Sequence, residues 1–167
     1  MAREPIIVIL DLIADFMNLD EEHCYLYNQN WQIPRDKSIC VVGSLGNTRV
    51  LANNKHYVHT SDGSLREQLV IRERQEITID VFSYDLEALN RKEEILFALN
   101  TDKAQNTMEK SGFSCSEIPQ SWTQLNEQDG DKILYRFTIS FYIFCGRTWM
   151  DETDYMVGSD LRIIKDD

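Results

Sequence analysis

Between positions 132 and 145 the chain alternates strictly. Ile133, Tyr135, Phe137, Ile139, Phe141, Ile143 and Cys145 are all apolar or aromatic, and the interleaved Leu134, Arg136, Thr138, Ser140, Tyr142 and Phe144 are mixed. Successive side chains of a strand point to opposite faces. A period of two sustained this far therefore specifies a strand with one buried face, and excludes a helix. The mixed second face fits a strand near the centre of an antiparallel sheet.

The remaining segments read as follows. Residues 5–19 form a helix: Pro5 suits a first helical position, and Ile6, Ile9, Ile13 and Phe16, with Leu10 and Met17, fall at helical spacing. Its apolar face is wide, so it needs cover from the sheet or from a neighbouring subunit. Residues 23–31 and 38–45 read as strands, with Pro34 between them and Gly46-Asn47 as a turn after the second. Residues 48–59 and 66–82 read as the arms of a long hairpin turning at residues 61–64. On its second arm Leu69, Ile71, Ile77, Ile79 and Val81 share a face, but Arg72, Glu73, Arg74, Gln75 and Glu76 are wholly polar. If that strand is continuous, its middle faces water or another chain.

Residues 85–100 form a helix with Leu86, Leu89, Leu96 and Leu99 as its buried stripe, Ala88 and Ile95 beside it, and residues 90–94 on the solvent side. Residues 101–111 form a second, short helix closed by Gly112. Residues 113–118 make a short strand, 121–131 a polar loop, and 146–167 an acidic tail. The expected fold class is α+β: a mostly antiparallel sheet with a long hairpin, packed on one face by two to three helices. The 167 residues suit a single domain spanning 1–167.

Charge narrows the function. There are 28 acidic residues against 17 basic ones, a formal −11. Such a surface repels phosphate backbones and argues against a nucleic-acid binder of the usual basic kind. It allows DNA to slide past without sticking. The apolar run of residues 6–10 is too short to span a bilayer, which takes about 20 residues, and the opening residues do not read as a signal peptide. Cys24, Cys40, Cys115 and Cys145 form no close pair, and a reducing cytoplasm with free, buried thiols is expected.

No chemistry stands out. His56 and His59 are three apart, but on a strand they point to opposite faces, and no cysteine or carboxylate nearby completes a ligand set. No catalytic signature surrounds any cysteine or serine, and no glycine run cradles a phosphate. Catalytic, cofactor-binding and metal residues are therefore expected to be none. Trp31, Trp122 and Trp149 sit at element ends, as rim packing or as interface anchors.

Several segments, in order, resemble the tail (neck) terminator family of tailed bacteriophages. They are the opening amphipathic helix and the stretch Tyr27, Asn28, Gln29, Asn30, Trp31, Gln32, Ile33, Pro34 with its following strand. Then come Ile77, Ile79 and Val81 leading through Ser83 and Tyr84 into a helix. Last are Arg136 near the start of the final strand and Thr153, Asp154, Tyr155, Met156 after it. The resemblance touches most of the chain through short motifs. It implies a non-enzymatic virion protein, assembled in the host cytoplasm. Such a protein forms a ring, usually sixfold, on the end of the tail tube and offers a docking surface to the head or neck connector. In contractile tails it also meets the sheath, and DNA passes through its lumen.

A head-completion or connector subunit is the nearest alternative. An enzyme or small-ligand module whose site only the fold assembles is an alternative of a different class, and an acidic mimic of nucleic acid is another. Six copies would carry roughly −66, six times −11, so self-repulsion should weaken assembly at low salt. Subunit contacts are expected from the first helix, from residues 72–76 and from the tail after Trp149.

Overall fold

The computed structural model describes residues 4–27, 38–59, 61, 65–116, 118 and 121–150. Helix α1 (Pro5–Met17) leads through a 3-10 turn into strand β1 (Cys24–Leu26), then β2 (Cys40–His59) and β3 (Leu65–Ser83). Helices α2 (Glu87–Asn100) and α3 (Asp102–Lys110) follow, then β4 (Phe113–Cys115), β5 (Thr123–Gln124), β6 (Glu127–Asp129) and β7 (Lys132–Met150). Among the described residues the fold is α+β, with three helices and a mixed, mostly antiparallel seven-stranded sheet. Its order is β1-β2-β3-β7-β4, and β5 and β6 pair with other stretches of β7. The β1–β2 pair is parallel and all others are antiparallel.

The alternation at 132–145 is realised as β7, and the strand runs on to Met150. It pairs with β3 from Ser83↔Tyr135 to Gln68↔Met150. Phe137, Ile139, Phe141 and Ile143 are buried, together with Ile77, Ile79 and Val81 of β3 and Val41 of β2. The same cluster takes in the buried side chains of all three helices. At the start of β7 the pattern shifts: Ile133 is 52% exposed and Leu134 is buried. The last β3–β7 rung is at Tyr135. Leu134 instead joins Cys40, Val42 and Phe82 in a second, smaller cluster on the opposite side of the sheet.

Several expectations need correction. Gly46-Asn47 is no turn, because β2 runs through it and the register with β3 jumps between Leu45 and Thr48. A bulge absorbs the extra residues while the ladder continues on either side. The first strand is shorter than 23–31, and residues 28–37, with Trp31 and Pro34, lie outside the described residues. The strand expected over 113–118 stops at Cys115. The polar loop 121–131 contains two short strands, and β6 turns back into β7 through Gly130, whose φ is +62°. Residues 146–150 belong to β7 and not to a tail, and 151–167 lie outside the described residues.

Helix α2 is rotated from its expected stripe. Ala88, Ile95, Ala98 and Leu99 are buried, whereas Leu86 and Leu89 are 52% and 40% exposed. The junction before it explains the rotation. Ser83, fully buried at the end of β3, donates its hydroxyl to the Asp85 carbonyl (2.7 Å) and accepts the Ala88 amide (2.9 Å). Asp85 Oδ1 accepts the Glu87 amide at 2.8 Å. These bonds aim the first turn so that Ala88 faces inward. Arg91, expected in solvent, donates to the Met17 carbonyl at 2.6 Å and pairs with Glu87 and Glu94. A cation therefore sits at the end of α1, where the helix dipole favours it. Thr101 Oγ1 caps α3 by accepting the Ala104 amide at 3.2 Å.

Close approach of α1 to β2 depends on Gly43. A Cβ there would lie 2.9 Å from Ile6 Cδ1 and 3.2 Å from the Leu10 methyls.

Phe137→Asp is expected to abolish folding. An unpaired carboxylate at a 2%-exposed position costs several kcal/mol, on the order of the whole stability of such a domain. Loss of the near-ultraviolet circular dichroism signal is the check, and a variant melting like the parent would refute the central placement of β7.

On the face of the sheet that carries Val42 and Phe82, Asp80, 4% exposed, takes a two-pronged ion pair from Arg136 (3.0 and 3.2 Å) and a hydrogen bond from Thr138. Arg136 also reaches Glu127 (3.2 Å), and its guanidinium pKa is raised, first by the Asp80 hydrogen bond. Asp80→Leu strands Arg136 and is expected to lower stability by about 2 kcal/mol in urea unfolding.

Candidate interaction surface: a projecting three-stranded arm

Strands β2, β3 and β7 are 20, 19 and 19 residues long, and only part of each is buried. Past the rung Ile77↔Phe141 the burial pattern changes. Residues 45–51 of β2 are all exposed, and so are 146–150 of β7. The outer parts of the three strands, residues 46–59, 65–75 and 144–150, form an arm. At about 3.3 Å per residue its β2 portion reaches roughly 40 Å.

Register assigns side chains to the two faces of the arm. Leu69 lies opposite Trp149 and Lys55, Glu67 opposite Tyr57, and Glu73 opposite Cys145 and Val50, so these share the face that continues the helix side. Trp149, Tyr57 and Val50 are 53–55% exposed there. The charges on this face are paired: Lys55 with Glu67 at 2.7 Å, and Arg147 with Glu73 at 3.4 Å.

The other face carries Arg72 opposite Ala52 and Gly146, Arg74 opposite Arg49 and Phe144, and Gln68 opposite His56 and Met150. Tyr142, Phe144 and Met150 are 38–41% exposed. The Arg74 guanidinium stacks over the Tyr142 ring at 4.3 Å, a cation–π contact. Among the described residues none pairs with Arg49 or Arg72 as an ion pair.

The edges of the arm are open. Among the described residues β2 beyond Gly43 pairs with β3 alone, and so does β7 beyond Cys145 with its inner neighbour. The β2 edge is interrupted by two bulges and carries Arg49 and Lys55. Both devices discourage strand addition along this edge.

Each expected feature has a place. The polar segment 72–76 lies in one continuous strand, flanked by β2 and β7. The apolar face of α1 is covered within the chain, since seven of its residues are buried, and Phe16 alone among its large apolar side chains stays exposed. Trp122 packs against the main core and Trp149 stands on the arm. His56 and His59 are exposed at rungs of opposite facing. Among the described residues no three His, Cys, Asp or Glu side chains gather as a metal set, and no helix is long and apolar enough to cross a membrane. The signal that sequence reading missed is the pairing of Arg49 with Arg74, which only register reveals.

At the root of the arm a groove of about 300 Å³ lies between Glu4-Pro5, Ser111-Gly112 and Cys145–Arg147. Cys145 there is half-buried and its pKa is raised, first by burial. Burial pushes Cys24 to about 11, and Cys40 and Cys115 to about 12. The Cys115 thiol also contacts Met108 Sδ at 3.3 Å. A raised pKa keeps a thiol protonated and slow to react. Iodoacetamide at pH 8 is therefore expected to label Cys145 first and the other three at least tenfold more slowly, as read by peptide mass spectrometry. The same shifts predict stability lost as pH rises above 9, because the unfolded thiols ionise first.

Set against known proteins, the chain matches no family model and no curated protein.

Proposed function

We propose that the chain is a structural subunit that closes into a ring and acts through its surfaces, in the manner of the tail terminators that its sequence resembles. The observation that carries this reading is the arm. Three long strands leave the core and hold exposed aromatic and aliphatic side chains on both faces. Apolar groups presented on so extended a scaffold suit contact with a large partner, and a small ligand would leave most of them wet.

Read as a long hairpin joined by β7, with the helices against one side of the sheet, the molecule has two unlike ends. A surface at one end that contacts a different surface on the next copy is a heterologous interface. Repetition of such a contact gives a ring when the rotation closes. On this reading the ring sits at the end of a phage tail tube, in the virion. Its neighbours are the tube protein, the neck connector and, in contractile tails, the sheath, and the genome passes through without being held.

Sedimentation and native mass spectrometry test the assembly. The expected species is a closed multiple of the 19.5 kDa chain, seen as a ring by electron microscopy. Phage made without the protein should yield tails that fail to join heads. A chain that stays monomeric up to millimolar concentration, with particles unaffected by its loss, would overturn the reading.

A further inference from the structure

We propose that the arginine face of the arm docks on the acidic end of the body of a second copy of this chain. The inference rests on the ring reading above and names the two surfaces that meet.

Charge is unevenly spread along the long axis. Residues 46–75 and 144–150 hold six basic and three acidic residues, a formal +3, whereas the described residues of the body hold six basic and seventeen acidic ones, a formal −11. The rungs order the two ends. Leu65↔His59 lies at the tip of the arm and Ser83↔Tyr135 at the far end of β3, whose 19 residues span roughly 60 Å.

At the far end the β6–β7 turn exposes Asp129 and Asp131, and Asp20 and Glu22 are exposed just after α1. Leu86, Leu125 and Ile133 are 45–52% exposed in the segments around that turn. The far end is thus acidic with apolar patches. The arm face is basic with Tyr142, Phe144 and Met150 beside its arginines.

The like-charge rung sharpens the case. Arg49 and Arg74 stand directly opposite on neighbouring strands, and Arg72 is on the same face two rungs away. Like charges directly opposite destabilise a sheet. The carboxylates that offset charge on the helix-side face, Glu67 and Glu73, point away from this one. Glu76, the next acidic residue on the arginine face, lies over Gly46, where a Cβ would meet its Oε2 at 2.8 Å. Among the described residues no carboxylate pairs with Arg49 or Arg72, and Arg74 lies on the Tyr142 ring with no carboxylate beside it. The acidic far end of an identical chain supplies carboxylates to them, with exposed leucine and isoleucine to cover Phe144 and Met150. Duplex DNA offers no such apolar cover, and the rest of this chain repels it. Because the two surfaces lie at opposite ends, they cannot meet within one chain of this shape, and each contact leaves both free ends able to continue.

Two charge-reversed proteins provide the test, R72E/R74E and D129K/D131K, each checked for an unchanged fold by circular dichroism and melting. Each is expected to raise the concentration for half-assembly at least tenfold in sedimentation. Mixed in equal amounts, the two should associate as alternating pairs through their reversed but again complementary surfaces, and a chain carrying all four changes should regain assembly. If the parent assembles but either reversal leaves it unchanged, or the four-fold variant stays impaired, the arm-to-end contact is wrong while the ring reading stands. If the parent never assembles, both fall. Arginine-dependent binding of a short DNA duplex, with assembly unaffected by R72E/R74E, would overturn the proposal in favour of a nucleic-acid surface.

Discussion

Strand β3 is hydrogen-bonded on both edges for nearly its whole length, to β2 from Leu65 to Phe82 and to β7 from Gln68 to Ser83. The rest of the molecule follows from that double ladder. Unpaired backbone amides and carbonyls are costly wherever water is excluded, and here both sets are satisfied by neighbours. The strand therefore tolerates five consecutive polar residues, 72–76, in its middle without ending. A β3 lacking either neighbour would be an exposed edge, and the outer half of the sheet would have little reason to stay extended.

The helices act on only part of this ribbon. Gly43 lets α1 come close to β2, and Ser83 with Asp85 sets the start of α2. Arg91 then clasps the C-terminal carbonyl of α1 against Glu87 and Glu94. Where this cover stops, near Ile77 and Phe141, the side chains change from aliphatic to charged and aromatic. Body and arm thus share one backbone ladder but obey different rules of burial. The opposite side of the sheet is held differently again, by the Asp80–Arg136 pair, the Thr78–Ser140 hydroxyl contact at 2.9 Å and a small cluster around Phe82.

Net charge is a poor summary of such a molecule. A formal −11 suggests uniform repulsion between copies, but the arm is positive and the remainder strongly negative. Long-range fields are screened within about 8 Å at physiological salt, so local complementarity outweighs the total when two surfaces touch. An acidic chain can in this way still present a positive surface.

The sequence by itself determined the long alternating strand and the presence of all three helices. Period-two alternation from Ile133 to Cys145 and period-3.6 spacing in α1 reflect geometry internal to each element, so the local order of residues alone reveals them. Gly112 marked the end of α3 for the same local reason, while the Thr101 cap at its start emerged only in the structure. Tertiary structure decided the rest. It joined 38–45 to 48–59 across a turn-like Gly46-Asn47, because β3 opposite offers a continuous ladder that outweighs a local preference. It rotated α2 so that Leu86 and Leu89 face out, because bonds from Ser83 and Asp85 fix the first turn. It also brought Arg49 across from Arg74, residues 25 positions apart, since cross-strand register depends on bulges that no residue-by-residue pattern encodes.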